Sequence, residues 1–284
     1  MLRLFAPWIA PIIGLGFVLA LAFAFFTPRD PVTMLPSVSV ARGGFHEEPR
    51  DIHYSFAGPF GRYDNRQLQR GFQVYKEVCS ACHSMRLVAF RDLEQIGFSK
   101  PEVKAIAKNW AVETPSINPD TGEPATRKPL PSDTIPPPYP NETAARAANN
   151  NALPPDMSLL AKAREGGPAY IASLVTGYAA VPAAMHRKFP DFQVPAGLHY
   201  NPYFANLTIA MPPPLAADGQ VSYSDGTKAS KEQMAEDVSA FLMWAAEPKL
   251  DNRKRTGVAV VLYLLIATGL AYAAYRNIWA GKKH

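Results

Sequence analysis

The sequence predicts a mainly α-helical fold: one globular helical domain interrupted by long irregular segments, closed by a C-terminal transmembrane helix. Three observations predict it. Apolar residues recur at helical spacing behind recognisable N-caps. Prolines crowd the stretches between those helices and break them into loops. A run without charge from Thr256 to Tyr275 is long enough to cross a bilayer.

Taken in chain order, residues 1–30 read as a signal or an N-terminal membrane segment. Residues 6–26, "APWIAPIIGLGFVLALAFAFF", carry no charge and follow a short basic start. Pro7 and Pro11 interrupt the beginning of the run, and the small-x-small site "SVA" (39–41) lies well past its end. A cleaved signal and a retained anchor both fit, and either delivers the following domain across a membrane.

Residues 64–79, "DNRQLQRGFQVYKEVC", read as a helix capped by Asp64 or Asn65, with Leu68, Phe72, Tyr75 and Cys79 on one face. It runs into "VCSACHSM" (78–85), which holds both cysteines of the chain. A redox Cys-x-x-Cys pair needs a lowered thiol pKa at a helix start, whereas this pair ends a helix outside any βαβ pattern. Zinc needs four ligands; no third cysteine exists, and His186 and His199 lack the usual short spacing. Cys-x-x-Cys-His is the attachment signature of c-type haem. Cys79 and Cys82 would form the thioethers, and His83 would fall beneath the iron as proximal ligand. Because c-type haem is attached on the far side of a membrane, residues 31–250 are expected outside and the tail 276–284 inside.

Next, "SKPEVKAIAKNWAV" (99–112) has a Ser99–Glu102 capping box, with Val103, Ile106 and Trp110 on one face. From Trp110 to Glu142 there are nine prolines, so an irregular loop is expected. Its acids, Glu113, Asp120, Glu123, Asp133 and Glu142, are those of a solvated loop or, more sharply, of a docking face for a basic partner. Helical patterns return at 142–149, 156–165 and 168–176, and 177–229 is loop-rich with a turn at 224–227. A last outside helix, 230–248, has a Ser230/Gln233 capping pair and buries Met234, Val238, Phe241 and Ala245. Residues 251–284 form the anchor and a short tail, flanked by "RKR" (253–255) and by Arg276, Lys282 and Lys283.

Charge narrows the partners. The chain carries +5 net, but residues 249–284 hold +6 and residues 1–30 hold +1, which leaves −2 for the middle. A domain without clustered Lys/Arg does not bind nucleic acid. It suits a lipid membrane at its ends and a basic protein on its face.

Iron held by His83 needs a sixth ligand if it only carries electrons. The outside methionines after the motif are Met85, Met157, Met185, Met211, Met234 and Met243. Met85 is too close to His83 to reach the opposite face. Met211 has the distinguishing context: three prolines follow it in "NPYFANLTIAMPPPL" (201–215) and hold the chain without regular structure. His186 and His199 stand as bis-histidine alternatives.

At this point the chain resembles the cytochrome c1 family, the c-type haem subunits of bacterial-type quinol–cytochrome c reductase, the cytochrome b–c1 complex. The resemblance runs from about Asp64 to Gly257. It rests on "RGFQVYKEVCSACHSM" (70–85), "YPNETAARAANNNALPPDMSLLAKAREGG" (139–167), "YNPYFANLTIAMPPPL" (200–215) and "FLMWAAEPKLDNRKRTG" (241–257). It implies a class I cytochrome c-like helical haem domain with long loop insertions. One covalent haem c would sit on Cys79 and Cys82, with His83 and Met211 as axial ligands and Arg146 near a haem propionate. It further implies an electron-transfer subunit of a dimeric complex III in the bacterial inner membrane. The haem domain would be periplasmic and the C-terminus cytoplasmic. Cytochrome b, the Rieske iron–sulfur protein and a cytochrome c are the implied partners. The chain departs from some bacterial members in having no cysteines for an extra disulfide, so 179–192 must be held by packing. A free membrane-tethered c-type cytochrome shuttle is the alternative, and a haem enzyme with an open iron site a third. Met211 lies 128 residues after His83, a large insertion for a minimal shuttle.

Overall fold

The computed structural model describes residues 44–281 and four isolated positions before them, Gly16, Val18, Leu19 and Phe23. Those four are helical and exposed. The rest of the N-terminal apolar run and the small-x-small site lie outside the described residues.

Helix α1 spans Asn65–Glu77, and the Asp64 side chain accepts from the Arg66 N–H at 2.9 Å. Its Leu68, Phe72 and Tyr75 face is buried, as the spacing predicts. The helix stops before the cysteines, and a 3₁₀ turn, Cys79–Ala81, takes over. Strand β1 (Met85–Ala89) follows, then a second 3₁₀ segment, Phe90–Ile96. Helix α2 is Lys100–Lys108 and has the expected capping box: Glu102 accepts from the Ser99 N–H at 2.7 Å.

The proline-rich stretch is more ordered than its composition suggests. Strands β2 (Thr114–Ile117) and β3 (Pro124–Arg127) form an antiparallel hairpin, and β4 (Thr134–Ile135) pairs with β1. A two-stranded ribbon tolerates Pro115 and Pro124 because half of its backbone N–H groups face solvent anyway. Two of the acids of this stretch act internally. Asp133 takes both arms of the Arg127 guanidinium, and Glu113 accepts from Thr126 and pairs with Lys128. The Arg127 contact outweighs burial and holds the Asp133 carboxyl below its ordinary range.

Helix α3 is Glu142–Ala148. The pattern expected at 156–165 yields only a single turn, α4 (Leu160–Ala163), because residues 155–158 are committed to hydrogen bonds with 83–87. Helices α5 (Gly167–Thr176) and α6 (Ala183–Lys188) come next, then the small ribbon β5 (His199–Tyr200) with β6 (Thr208–Ile209). Helix α7, Lys231–Ala246, is capped by Ser230, whose hydroxyl accepts from the Gln233 N–H at 3.1 Å. The Gln233 side chain does not complete the box and donates to Asp237 instead. Helix α8, Leu250–Trp279, is long and apolar enough to cross a membrane.

Helix α7 is the hub. The expected face, Met234, Val238, Phe241 and Ala245, is buried, but so are Ala235, Asp237, Ser239, Ala240, Leu242 and Trp244. A helix enclosed on nearly all sides loses its amphipathic signature. It packs against α1, α4 and α5. The α1–α7 crossing is close: a Cβ on Gly71 would stand 2.0 Å from the Asp237 carbonyl oxygen. Beside it, Arg70 reaches the fully buried Asp237 through Nε at 2.8 Å and Nη2 at 3.1 Å, and Asp225 through Nη1 at 2.8 Å.

Gly71→Ala should therefore push the two helices apart. The expected cost is at least about 2 kcal/mol, at the upper side of ordinary overpacking. Thermal unfolding followed by circular dichroism in detergent checks it; an unchanged midpoint would contradict the crossing. Arg70→Met strands a buried carboxylate and should cost about 3–5 kcal/mol by the same measurement.

Candidate haem-attachment site

The site is built where α1 ends. The Cys82 and His83 N–H groups both donate to the Cys79 carbonyl, at 3.1 and 2.9 Å. This one tight turn carries Cys79, Cys82 and His83 together. The turn is tied to the helix before it, because the buried Tyr75 hydroxyl donates to the His83 carbonyl at 3.2 Å.

His83 is buried, and its Nδ1 lies 2.9 Å from the Pro155 carbonyl oxygen. A carbonyl only accepts, so Nδ1 carries the hydrogen and the neutral ring presents its lone pair at Nε2. Burial lowers the His83 pKa against the opposing influence of Pro155 and Asp156, which favours the neutral, ligating form. Orientation of a ligating imidazole by a carbonyl on its other nitrogen is the usual support of a metal-bound histidine.

Cys79 and Cys82 form no disulfide with each other. Desolvation first, and the neighbouring Cys82 second, push the Cys79 thiol up to about 12. A redox dithiol requires the opposite shift. Among the described residues no cluster of three or more His, Cys, Asp or Glu side chains is arranged to hold a metal ion. A porphyrin that brings four nitrogens of its own fits this donor set; a bare ion does not.

Asp156 braces the site. One carboxylate oxygen accepts from the Ser84 hydroxyl at 2.8 Å and the Arg86 N–H at 3.0 Å; the other accepts from the Ser158 N–H at 2.9 Å. The Ser158 hydroxyl accepts from the Leu87 N–H, and the Met157 N–H donates to the Ser84 carbonyl. Residues 155–158 are thus stitched to 83–87. Pro155 and Asp156 lie in "ALPPDMS" (152–158), a stretch with no periodicity to mark them. A backbone acceptor and a turn aspartate leave no pattern of their own.

Met211 lies just after β6 and is half-buried. The Tyr178 hydroxyl donates to its carbonyl at 3.0 Å. Burial raises the Tyr178 pKa, so the phenol stays a donor. Gln220 clamps the next turn, donating to Pro214 and accepting from the Ala216 N–H. The other methionines are spent on packing: Met85, Met157 and Met234 in the main core, Met243 against it, and Met185 fully buried on α6. His186 is exposed on α6, whereas His199 is opposite Ile209 in the β5–β6 ribbon, near the Met211 loop.

Arg146 is exposed on α3 and donates from Nη1 to the Asn151 carbonyl at 3.1 Å. Asn150 and Asn151 take positive φ, 50° and 63°, which folds the chain back over the helix end. Asparagine tolerates that conformation better than most residues.

The Asp156 brace predicts a pH effect. Burial by itself would raise this carboxyl, but its hydrogen bonds outweigh that and hold its pKa below the ordinary value. The folded pKa is depressed, so the stabilisation is present above the unfolded value of about 3.9 and is lost as pH falls through the folded one. Asp156→Asn should flatten the loss of thermal stability between about pH 5 and pH 2. Identical pH slopes in the two proteins would remove Asp156 from this role.

Known proteins place the chain. The Cytochrome C1 family model matches residues 54–282. The chain is 48% identical over 240 residues to cytochrome c1 of Rhodospirillum rubrum, covering 81% of this chain and 87% of that protein. It is 46% identical over 248 residues to "Cytochrome c1, heme protein, mitochondrial" of Saccharomyces cerevisiae, with 87% and 76% covered. It is 42% identical over 251 residues to the "Cytochrome b-c1 complex catalytic subunit, mitochondrial" of Candida albicans, with 88% and 83% covered. The chain belongs to the cytochrome c1 family.

Proposed function

We propose that this chain is the cytochrome c1 subunit of a bacterial cytochrome b–c1 complex, carrying one covalent haem c and relaying single electrons from the Rieske iron–sulfur protein to a cytochrome c. The observation that carries the reading is His83: its Nδ1 is held by Pro155 on the same turn that carries Cys79 and Cys82. Haem supplies the chemistry, since its iron takes up and releases one electron. The protein binds, orients and tunes it.

In this reading Cys79 and Cys82 would attach the porphyrin, which would fix it without occupying a ligand position. His83 Nε2 would be one ligand to the iron, and Pro155 keeps the ring from rotating. Met211 would supply the second protein ligand; a thioether favours ferrous iron and raises the potential. Tyr178 and the proline run hold the Met211 loop, which limits reorganisation when the charge changes. The Arg146 guanidinium would pair with a propionate. Residues 31–250 form the periplasmic haem domain. Residues 251–284 form the anchor against cytochrome b and a short cytoplasmic tail. The complex as a whole oxidises quinol, and no substrate bond is made or broken in this chain.

Cys79→Ser combined with Cys82→Ser should leave haem extractable by acidified acetone, whereas the wild type should retain it. Extraction from the wild type would refute the thioethers.

Met211→Leu should lower the midpoint potential by about 0.2–0.4 V, part of the roughly 0.8 V that axial ligation spans. Quinol-to-cytochrome c turnover should nearly stop, haem attachment should persist, and the ferrous variant should bind carbon monoxide. Met185→Leu, a core swap of similar volume, should change the potential little. A drop with His199→Leu and none with Met211→Leu would reassign the ligand to the neighbouring ribbon.

A further inference from the structure

The turn Phe56–Arg62, "FAGPFGR", precedes the haem helix, and none of the chemistry above uses it. It holds two phenylalanines with opposite fates. Phe56 is 7% exposed, stacked on the Tyr54 ring with centroids 5.0 Å apart and tilted against the Tyr63 ring at 5.1 Å. Phe60 is 78% exposed. The turn is preformed rather than slack: Gly58 has φ +68°, and a Cβ on Gly61 would stand 2.1 Å from the Ala57 carbonyl oxygen. A large apolar ring at the tip of a rigid turn is a contact surface awaiting a partner.

The anchor helix places that partner. Lys254, in the second turn of α8, donates from Nζ to the carbonyls of Phe56 (2.5 Å), Gly58 (2.6 Å) and Gly61 (3.4 Å). Two of these acceptors bracket Phe60. Just beyond the turn, the Tyr63 N–H donates to Asp251 on α8, and its hydroxyl donates to the Met243 and Glu247 carbonyls at the end of α7. The apolar surface of α8 begins at Val258, four residues after Lys254, which is about 6 Å further along the axis. The polar interfacial layer on each side of a hydrocarbon core is roughly 5–8 Å thick. A membrane spanned by α8 therefore has its headgroup layer at the level of Lys254, and the Phe60 turn is fastened there.

We propose that the Phe60 turn is a second membrane contact, which lays the Phe60 ring into the lipid interface while Lys254 clasps its backbone to the anchor helix. The proposal rests on α8 crossing the bilayer and is independent of the haem assignment. An aromatic side chain entering the headgroup–acyl boundary gains from apolar burial without crossing the membrane. Lys254 needs no lipid phosphate, because three backbone carbonyls satisfy its ammonium. Anchored at both the helix and the turn, the domain cannot pivot freely about the α7–α8 junction.

Photocrosslinking in membranes of cells producing the full chain tests this. Benzoylphenylalanine is placed at Phe60, at Leu264 midway along α8, and at Ile117, an exposed apolar position on the β2–β3 hairpin. Lipid adducts are expected at Phe60 and Leu264, severalfold above Ile117. Lys254→Met should reduce the Phe60 adduct severalfold and leave the Leu264 adduct unchanged. Lipid adducts at Leu264 with only background at Phe60 would overturn the proposal, as would a cross-link from Phe60 to another polypeptide in place of lipid. Background at both positions would remove the membrane reading of α8 and the proposal with it.

Discussion

The crossing of α1 over α7 is the constraint on which the rest of the structure depends. Helix α1 delivers the candidate haem-attachment turn, and α7 is the helix against which α4 and α5 also pack. The contact brings the Gly71 backbone against the Asp237 carbonyl, closer than any side chain would allow. Aromatic packing fills the space beside it: Phe72 and Tyr75 of α1 meet Phe241 of α7 with centroids 5.6 and 5.8 Å apart. The Arg70–Asp237 pair then fixes the register. A buried ion pair adds little net stability by itself, but it disfavours any sliding that would separate its charges.

Precision at the candidate site follows from that register. Tyr75 packs on Phe241 with its ring and holds the His83 carbonyl with its hydroxyl. One residue thus links the helix crossing to the ligand turn. On the opposite side, Pro155 and Asp156 hold the imidazole and the strand after it. The histidine is fixed from two directions by segments far apart in sequence. An electron carrier gains from such rigidity, since small reorganisation speeds transfer and keeps competing ligands away.

The same hub reaches the membrane. Helix α7 ends at Ala246, Pro248 cannot continue it, and α8 starts at Leu250. The Tyr63 hydroxyl ties this corner to the segment that leads into α1. The path from ligand turn to anchor therefore runs through packed helices and hydrogen-bonded turns, without a flexible linker.

Much of this was legible in the sequence, for a physical reason. Periodicity, caps and apolar length are local signals, so the ends of α1 and α7 could be read within two residues, whereas α2 stops four residues before the expected 112 and α8 extends six residues before and four beyond the apolar run 256–275. Cys-x-x-Cys-His is a local motif, because both thiols and the histidine must come from one turn. The proline-rich stretch misled because composition reports turn propensity, whereas the β2–β3 hairpin depends on pairing across the ribbon and on Arg127 meeting Asp133. Residues 156–165 showed helical spacing, but hydrogen bonds to 83–87 outweighed it. What the sequence determined by itself was the Cys-x-x-Cys-His motif of the candidate attachment turn, a C-terminal apolar run long enough to cross a membrane, and the apolar faces. What only the tertiary structure decided was which carbonyl orients His83, why residue 71 is glycine, why α7 is buried nearly all round, and where the Phe60 turn is fastened. Each of these depends on atoms that meet only after distant segments have packed.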